Sequence, residues 1–325
     1  MASLSDISRH AGVSIATCSR VLNGSTHPVS EETRQRVLNA AKELGYAPSA
    51  LARALVTRSS RIIGVIVADI VDPYFAEIAR GVEEVAVGLG YLTMVCSAEQ
   101  GPEAEIGHLR QLREYHAAGI VFAGSGRIRD PDTPELADAV NEARERGAVV
   151  VALAQRDFEA PSIVFDNEAA VYDVTTYIRS LGHQDVVFVE GPQSLHTSAQ
   201  RLAGFNRAGG GDRVPGGFSY EDGVAAAERL LARGNLPDAI VAANDEAAIG
   251  VLMRLREAGV KVPEQVSVAG IDDTRPARFV GLTTITAPLH AMGREAAHAI
   301  LAGGAQRRVV LPHRLAPRGT TAQRA

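Results

Sequence analysis

Tryptophan is absent from these 325 residues, cysteine and lysine occur twice each, and no long apolar run is present. Each shortage excludes something. Cys18 and Cys96 are too far apart for a CxxC pair and too few for a disulfide framework, which fits a reducing compartment. No stretch reaches the roughly 18 apolar residues of a membrane span, and the opening MASLSDISRH is polar rather than signal-like. A cytoplasmic protein with no membrane partner is expected. Catalytic signatures are missing as well. Gly124-Ser125-Gly126 lacks the third glycine of GxGxxG, no GxSxG or HExxH occurs, and the nine histidines show no metal-ligand spacing. No enzyme, cofactor or metal is expected.

What is present is an ordinary globular composition, 46% hydrophobic and 22% charged, which argues against disorder. The length exceeds a single core and predicts two or three domains. The net charge of -5 is unevenly spread: residues 1–58 hold seven Arg/Lys and four acids, net +3, so the remainder carries -8. A basic head on an acidic body suits a protein whose one end approaches phosphates.

In the head, Leu4, Ile7 and Ala11 share one helical face behind a Ser5 or Asp6 cap, and Gly12 ends that helix. Ser14 then caps a second helix, Ile15 to Asn23, closed by Gly24. Two short helices around a glycine turn form a helix-turn-helix, whose second helix meets base edges in the major groove. Ile15 and Ala16 would face the bases with Arg20 one turn on, while Cys18, Val21 and Leu22 pack inward. Arg20 suits a bidentate bond to guanine, and Ser14, Thr17, Ser19 and Asn23 suit phosphates. His27 completes the expected DNA contacts.

From Arg61 onward, short β-branched runs alternate with helical stretches. Candidate strands are Ile62 to Ala68, Leu92 to Ser97, Gly119 to Ala123, Val149 to Ala154, Ile163 to Asp166, Val186 to Glu190, Ala239 to Ala242, Val266 to Ile271 and Thr283 to Ile285. Continuous apolar strands separated by helices mean parallel sheets covered on both faces, an α/β class.

LSDISRHAGVSIATCSRVLNGS, followed by VSEETRQRVLNAAKELGYAPSALARAL, resembles the head of the lactose-repressor (LacI) family. The resemblance extends through DPYFAEIARGVE and EAAIGVLMRLREAGVKVPEQVSVAGIDD, and is weakest over 125–160. It implies a helix-turn-helix head (1–47), a hinge (48–59) and a two-lobed effector-binding and dimerisation body (60–325) of periplasmic-binding-protein type. The first lobe would span about 60–157 and 287–317, the second about 158–286 and 318–325, with crossings near 155–160, 285–288 and 317–319. By the same resemblance, 48–55 folds into a hinge helix on DNA and Leu55 wedges between central base pairs. The partners implied are a near-palindromic DNA operator, a second copy of the chain and a small effector.

Effector contacts are expected in the cleft between the lobes, where the strands end. Asp72, Tyr74 and Phe75 stand where the family carries its NPFF-like segment. Asn244-Asp245 and Asp272-Asp273 resemble its AND and GYDD motifs, and Asn244 and Asp272 are expected to hydrogen-bond the ligand. Arg201 matches the family's effector-binding arginine, with Thr197 on the same loop, and Phe218 matches a position that stacks on ligand. Gln155 stands in an Ala-Gln-Arg triplet where many relatives read VDR, an amide in place of a carboxylate. Leu195 replaces the cation of purine-binding relatives, so a sugar is expected over a purine. The stretch between Phe205 and Phe218 is shorter than usual, which would reshape one cleft wall. A transport receptor is the alternative reading, but it leaves the head without a role.

Overall fold

In the first helix, α1 (Leu4–Ala11), the cap is Ser3 rather than Ser5 or Asp6. The Ser3 hydroxyl accepts from the Asp6 amide at 3.3 Å and the Asp6 carboxylate accepts from the Ser3 amide at 2.9 Å. A Ser5 or Asp6 cap would forgo this reciprocal pair. Gly12, in the left-handed region at φ +65°, closes the helix. Ser14 starts α2 (Ile15–Leu22) by accepting from the Thr17 amide at 3.1 Å, and Ser30 starts α3 (Glu31–Glu43) in the same way through Thr33. Ile7, Cys18, Val21 and Val37 are buried where the three helices meet.

The computed structural model describes residues 2–22, 27–46, 60–98, 101–129, 133–304 and 308–324. It divides into two units, Met1–Arg61 and Ile62–Ala325. The expected hinge helix, with Leu55, and also Asn23 lie outside the described residues.

The larger unit begins with β1 (Ile62–Val67), α4 (Pro73–Gly88), β2 (Leu92–Ser97), α5 (Pro102–Glu114), β3 (Gly119–Phe122), α6 (Thr133–Glu145), β4 (Val149–Ala152) and β5 (Ser162–Phe165). It continues with α7 (Asn167–Ser180), β6 (Val186–Val189), α8 (His196–Arg207), β7 (Asp212–Val214), α9 (Tyr220–Ala232), β8 (Ala239–Ala242), α10 (Asp245–Glu257) and β9 (Ser267–Ala269). The last elements are α11 (Arg275–Phe279), β10 (Thr284–Thr286), α12 (Leu289–Leu301), β11 (Arg308–Leu311) and β12 (Arg314–Ala316).

Six strands form one parallel sheet in the order β11-β5-β4-β3-β1-β2, and four form a second in the order β7-β6-β8-β9. β1 and β3 are buried almost along their whole length, as strands covered by helices on both faces must be. An antiparallel pair, β10 with β12, accompanies two of the passages between the lobes. The first lobe keeps β5, contrary to the boundary expected near 157. β5 meets β4 at one residue pair, Ala152 with Ser162, but pairs along its full length with β11. The chain therefore leaves this sheet after Phe165.

Glycine brings helices into contact on both lobes. A Cβ at Gly81 of α4 would collide with the His290 carbonyl oxygen of α12, and one at Gly293 of α12 with the Ile78 carbonyl oxygen of α4. Gly223 and Gly250 do the same for α9 and α10. The three glycines Gly209 to Gly211 all have positive φ and turn the chain from α8 into β7. α8 runs to Arg207, just before this turn. Among the described residues no helix is long and apolar enough to cross a membrane.

Candidate functional site

In the head, Ile15, Ala16 and Arg20 are exposed on α2, Ile15 at 51%. Thr17 and Ser19 are half-buried beside them, and His27 is exposed beyond the helix. Cys18 and Val21 turn inward, because side chains three apart share a helical face. Ser14, read as a phosphate contact, has its hydroxyl engaged in capping α2.

In the body, a cleft of about 550 Å3 opens where strands of both sheets end. Asp72, Tyr74, Phe75, Thr197, Arg201, Phe218, Asn244 and Asp272 line it, as expected. Gln155 does not. It is exposed, and its amide oxygen accepts from Gln200 Nε2 at 2.8 Å, so Arg156 takes the place on the wall that Gln155 was expected to hold. Arg156 is held inward by Glu105 and the Gly124 carbonyl.

Arg201 is 2% exposed at the base of the cleft. Its Nε donates to Asn167 Oδ1 at 2.9 Å, Nη2 to Asp272 Oδ1 at 2.9 Å, and Nη1 to the Ala243 carbonyl. Its guanidinium lies 5.8 Å from the Phe218 ring centroid. Asp272 is 3% exposed with φ +120°, a conformation rare for a residue bearing a side chain. Its amide donates to the Ile285 carbonyl of β10 at 2.8 Å, so the Arg201 partner is tied to a strand between the lobes. Burial pushes the Asp272 pKa up to about 7, opposed by Arg201 and reinforced by Asp72 and Glu246. Burial also raises Asp245, whose carboxylate accepts from Thr284 Oγ1 and the Thr274 amide. Asp273, one residue on, is the contrast. Burial raises it, but hydrogen bonds from Arg318, Arg278 and Thr286 outweigh that and hold its pKa low.

Asn244 is engaged on both sides: Oδ1 accepts from the Ala247 amide at 3.0 Å and Nδ2 donates to the Phe218 carbonyl at 2.8 Å. Its observed work is to cap α10 and fix the Phe218 loop. Asp72 caps α4 through the Tyr74 amide at 2.8 Å while facing the cleft. Tyr74 and Phe75 pack edge to face at 5.0 Å.

The sequence reading missed Arg156, Phe158 and Glu246 on the cleft wall. Arg156 is bound to Glu105 and to the Gly124 carbonyl at 3.0 Å, with Phe122 and Phe158 beside its guanidinium. Glu246 follows the Asn244-Asp245 pair at the start of α10, the one signal that could have found it.

At the cleft mouth the lobes are joined by a clasp. Ile128 N donates to the Ser194 carbonyl at 2.7 Å and His196 N to the Gly126 carbonyl at 3.1 Å. Thr197 N donates to Ser125 Oγ at 3.1 Å, and His196 faces Asp157 at 3.1 Å. Gln155 with Gln200 completes it.

Residues 60–317 match the model of periplasmic binding proteins and the sugar binding domain of the LacI family, and residues 3–49 match the lacI family of bacterial regulatory proteins. Catabolite control protein A of Priestia megaterium is 32% identical over 302 residues, 89% of this chain and 88% of that protein. The transcriptional repressor PurR of Vibrio parahaemolyticus is 32% identical over 311 residues, covering 93% and 91%. Among solved structures, the lac repressor dimer bound to operator superposes with a TM-score of 0.84 at 25% identity, covering 99% of both chains. With an exposed recognition helix at one end, a two-lobed cleft in the body and matches along nearly its full length, this chain belongs to the LacI family of bacterial transcriptional regulators.

Proposed function

We propose that this regulator is a homodimeric repressor whose hold on a near-palindromic operator is set by a sugar or sugar derivative bound between the lobes of its body. The observation that carries the reading is the Arg201–Asp272 pair: a buried ion pair in a ligand-sized cleft, with the Asp272 backbone bonded to β10. A ligand that engages this pair acts directly on a strand linking the lobes. A change in lobe angle then alters DNA affinity by a coupling of about 1–3 kcal/mol. Release of DNA on ligand binding is the direction favoured.

The organisation proposed is a DNA-binding head to about residue 47, a hinge to about 59 and the two-lobed body beyond. Within it, Ser14, Ile15, Ala16, Thr17, Ser19, Arg20, Asn23, His27 and Leu55 serve DNA. Asp72, Tyr74, Phe75, Thr197, Arg201, Phe218 and Asp272 serve the effector. The domain match to a sugar-binding module supports the ligand class, and the dimeric relative supports the assembly. As a regulator, the protein needs no catalytic step.

The test is to select binding sites from random DNA, then titrate the selected site with the protein while adding sugars and sugar derivatives. One class of compound is expected to weaken operator binding about 5- to 150-fold and to lose that effect in Arg201→Ala. Operator binding indifferent to every compound would overturn the reading.

A further inference from the structure

The cleft wall carries more acid than base, and two of its three bases are already taken. Of three arginines lining it, Arg201 is bound to Asn167, Asp272 and the Ala243 carbonyl, and Arg156 to Glu105 and the Gly124 carbonyl. Arg127 is exposed at the mouth, where its backbone bridges to Leu195. Helix starts are the other common anion site, because their free amides carry partial positive charge. At three of those that line the cleft the chain meets them itself. Asp72 caps α4, Asn244 caps α10, and Ser219 with Asp222 forms a reciprocal cap on α9. A phosphate entering this cleft would find three helix starts capped by side chains, the first amides of α8 bonded to Gly126 and Ser125, and two of three guanidiniums already paired, while the start of α5 at Gly101 carries no side-chain cap.

The carboxylates are in the opposite condition. Asp72 and Glu246 both line the cleft, and among the described residues neither forms a salt bridge, Arg201 acting on Asp72 only from a distance. Glu246 Oε1 is buried and without a hydrogen-bond partner, which leaves a desolvated acceptor unmet. Burial holds both acids above the usual carboxylate range, with Asp69 adding to it at Asp72 against the Tyr74 amide and Arg201, and Asp72 and Glu221 adding to it at Glu246. Beside them stand Tyr74 and Phe75. Phe158 and Phe218 already have a guanidinium near the ring, whereas no such contact falls on Tyr74 or Phe75 among the described residues. Carboxylates together with aromatic rings free of a bound guanidinium are the combination that receives an organic ammonium. A metal ion does not fit, since among the described residues no three His, Cys, Asp or Glu side chains stand close enough to hold one.

We propose that the effector carries a protonated amine, as an amino sugar or small amino polyol does, and that Asp72, Glu246 and the Tyr74–Phe75 pair receive its ammonium group. This rests on the reading of the cleft as the effector site. The sugar hydroxyls fall to Arg201 and Asp272, and the ammonium supplies the positive charge that the two carboxylates lack. Neutral sugars bind more weakly, and phosphorylated ones are excluded by the acids.

The experiment is calorimetric titration of the full-length protein with matched sets: glucose, glucosamine and glucose 6-phosphate, then galactose, galactosamine and galactose 1-phosphate. An aminated member is expected to bind tightest in its set and a phosphorylated member not at all. Glu246→Gln is expected to weaken the amine by about 10- to 100-fold, the loss of a hydrogen bond to a charged group, while the neutral parent changes little. Asp72→Asn, which keeps a capping side chain, is expected to act in the same direction. It serves if the Glu246 variant fails to fold by its melting curve. Tighter binding of a neutral or phosphorylated member, abolished in Arg201→Ala, would overturn the amine proposal and leave the effector cleft standing. Amine binding unchanged in both carboxylate variants would also overturn it. No binding by any member would overturn both readings.

Discussion

Asp272 concentrates several costs in one side chain: a positive φ, nearly complete burial and the carboxylates of Asp72, Glu246 and Asp245 nearby against a single guanidinium. Strain of this kind persists where the surrounding structure imposes it, and it gathers at functional sites. It also sets a pH dependence. The folded pKa near 7 lies above the ordinary value of about 3.9 for an aspartate in an unfolded chain. The protonated form therefore contributes stability that is complete below about pH 4 and lost as pH rises through about 7. Asp272→Asn removes that titration. The melting temperature of wild type minus that of the variant should fall steadily between those two pH values and level off above. A difference that stays flat across the range would mean the carboxylate is ionised throughout, held by Arg201 alone. In the head, Arg20 projects from an exposed face of α2. Arg20→Ala should cost about 1–3 kcal/mol of operator affinity and relax the preference at one base pair. Uniform weakening across all sequences in a binding-site selection would show that Arg20 touches phosphate only.

At the scale of elements, the legible parts of the fold were those with a strong period. The β-branched runs of β1, β3, β4, β6 and β8 and the first two head helices read directly from apolar spacing. β7, β11 and β12 did not, because Asp212–Val214, Arg308–Leu311 and Arg314–Ala316 are short and begin with charge, and their strand character comes from neighbours far along the chain. Missing β11 is what misplaced β5, since a strand cannot be assigned to a sheet without its partner. Most of the cleft residues were legible through the motifs at strand ends. Gln155 was not, because nothing in a loop's composition tells which of two adjacent side chains turns inward. The glycine contact between α4 and α12 was equally hidden, and it gives a paired prediction. Gly81→Ala places a methyl group against the His290 carbonyl and should destabilise the protein by about 1–3 kcal/mol in denaturant unfolding. Gly88→Ala, later in the same helix and with open space around it, should stabilise by up to about 1 kcal/mol. Equal effects of the two would mean that α4 and α12 separate readily at Gly81.

For the molecule as a whole, the proposed function requires the two lobes of the body to move, and the clasp at the cleft mouth is what joins them there. The main-chain bonds Ile128 to Ser194 and His196 to Gly126, the Thr197 to Ser125 bond and the side-chain pairs Gln155–Gln200 and Asp157–His196 all cross from one lobe to the other. Clasp residues Ser125, Gly126, Asp157 and Thr197 line the cleft, so on the proposed function breakage of the clasp is expected to precede ligand exchange. Its polar side chains are partly exposed, and each contributes about 1 kcal/mol or less. Removing both pairs in Gln155→Ala/Asp157→Ala is therefore expected to shift the balance between closed and open lobes by a small factor, leaving the main-chain bonds in place. Because a ligand acts only through its differential affinity for the two states, the variant should release bound ligand several-fold faster in stopped-flow exchange. Its ligand-free operator affinity should move in the direction that ligand-free wild type moves when the lobes open. Thermodynamic linkage adds a check: the factor by which ligand changes operator affinity must equal the factor by which operator changes ligand affinity, in the variant as in the wild type. Faster release together with altered operator affinity assigns the clasp to the regulatory transition. Faster release alone makes it a gate on ligand entry, and no change in either reduces it to loop packing.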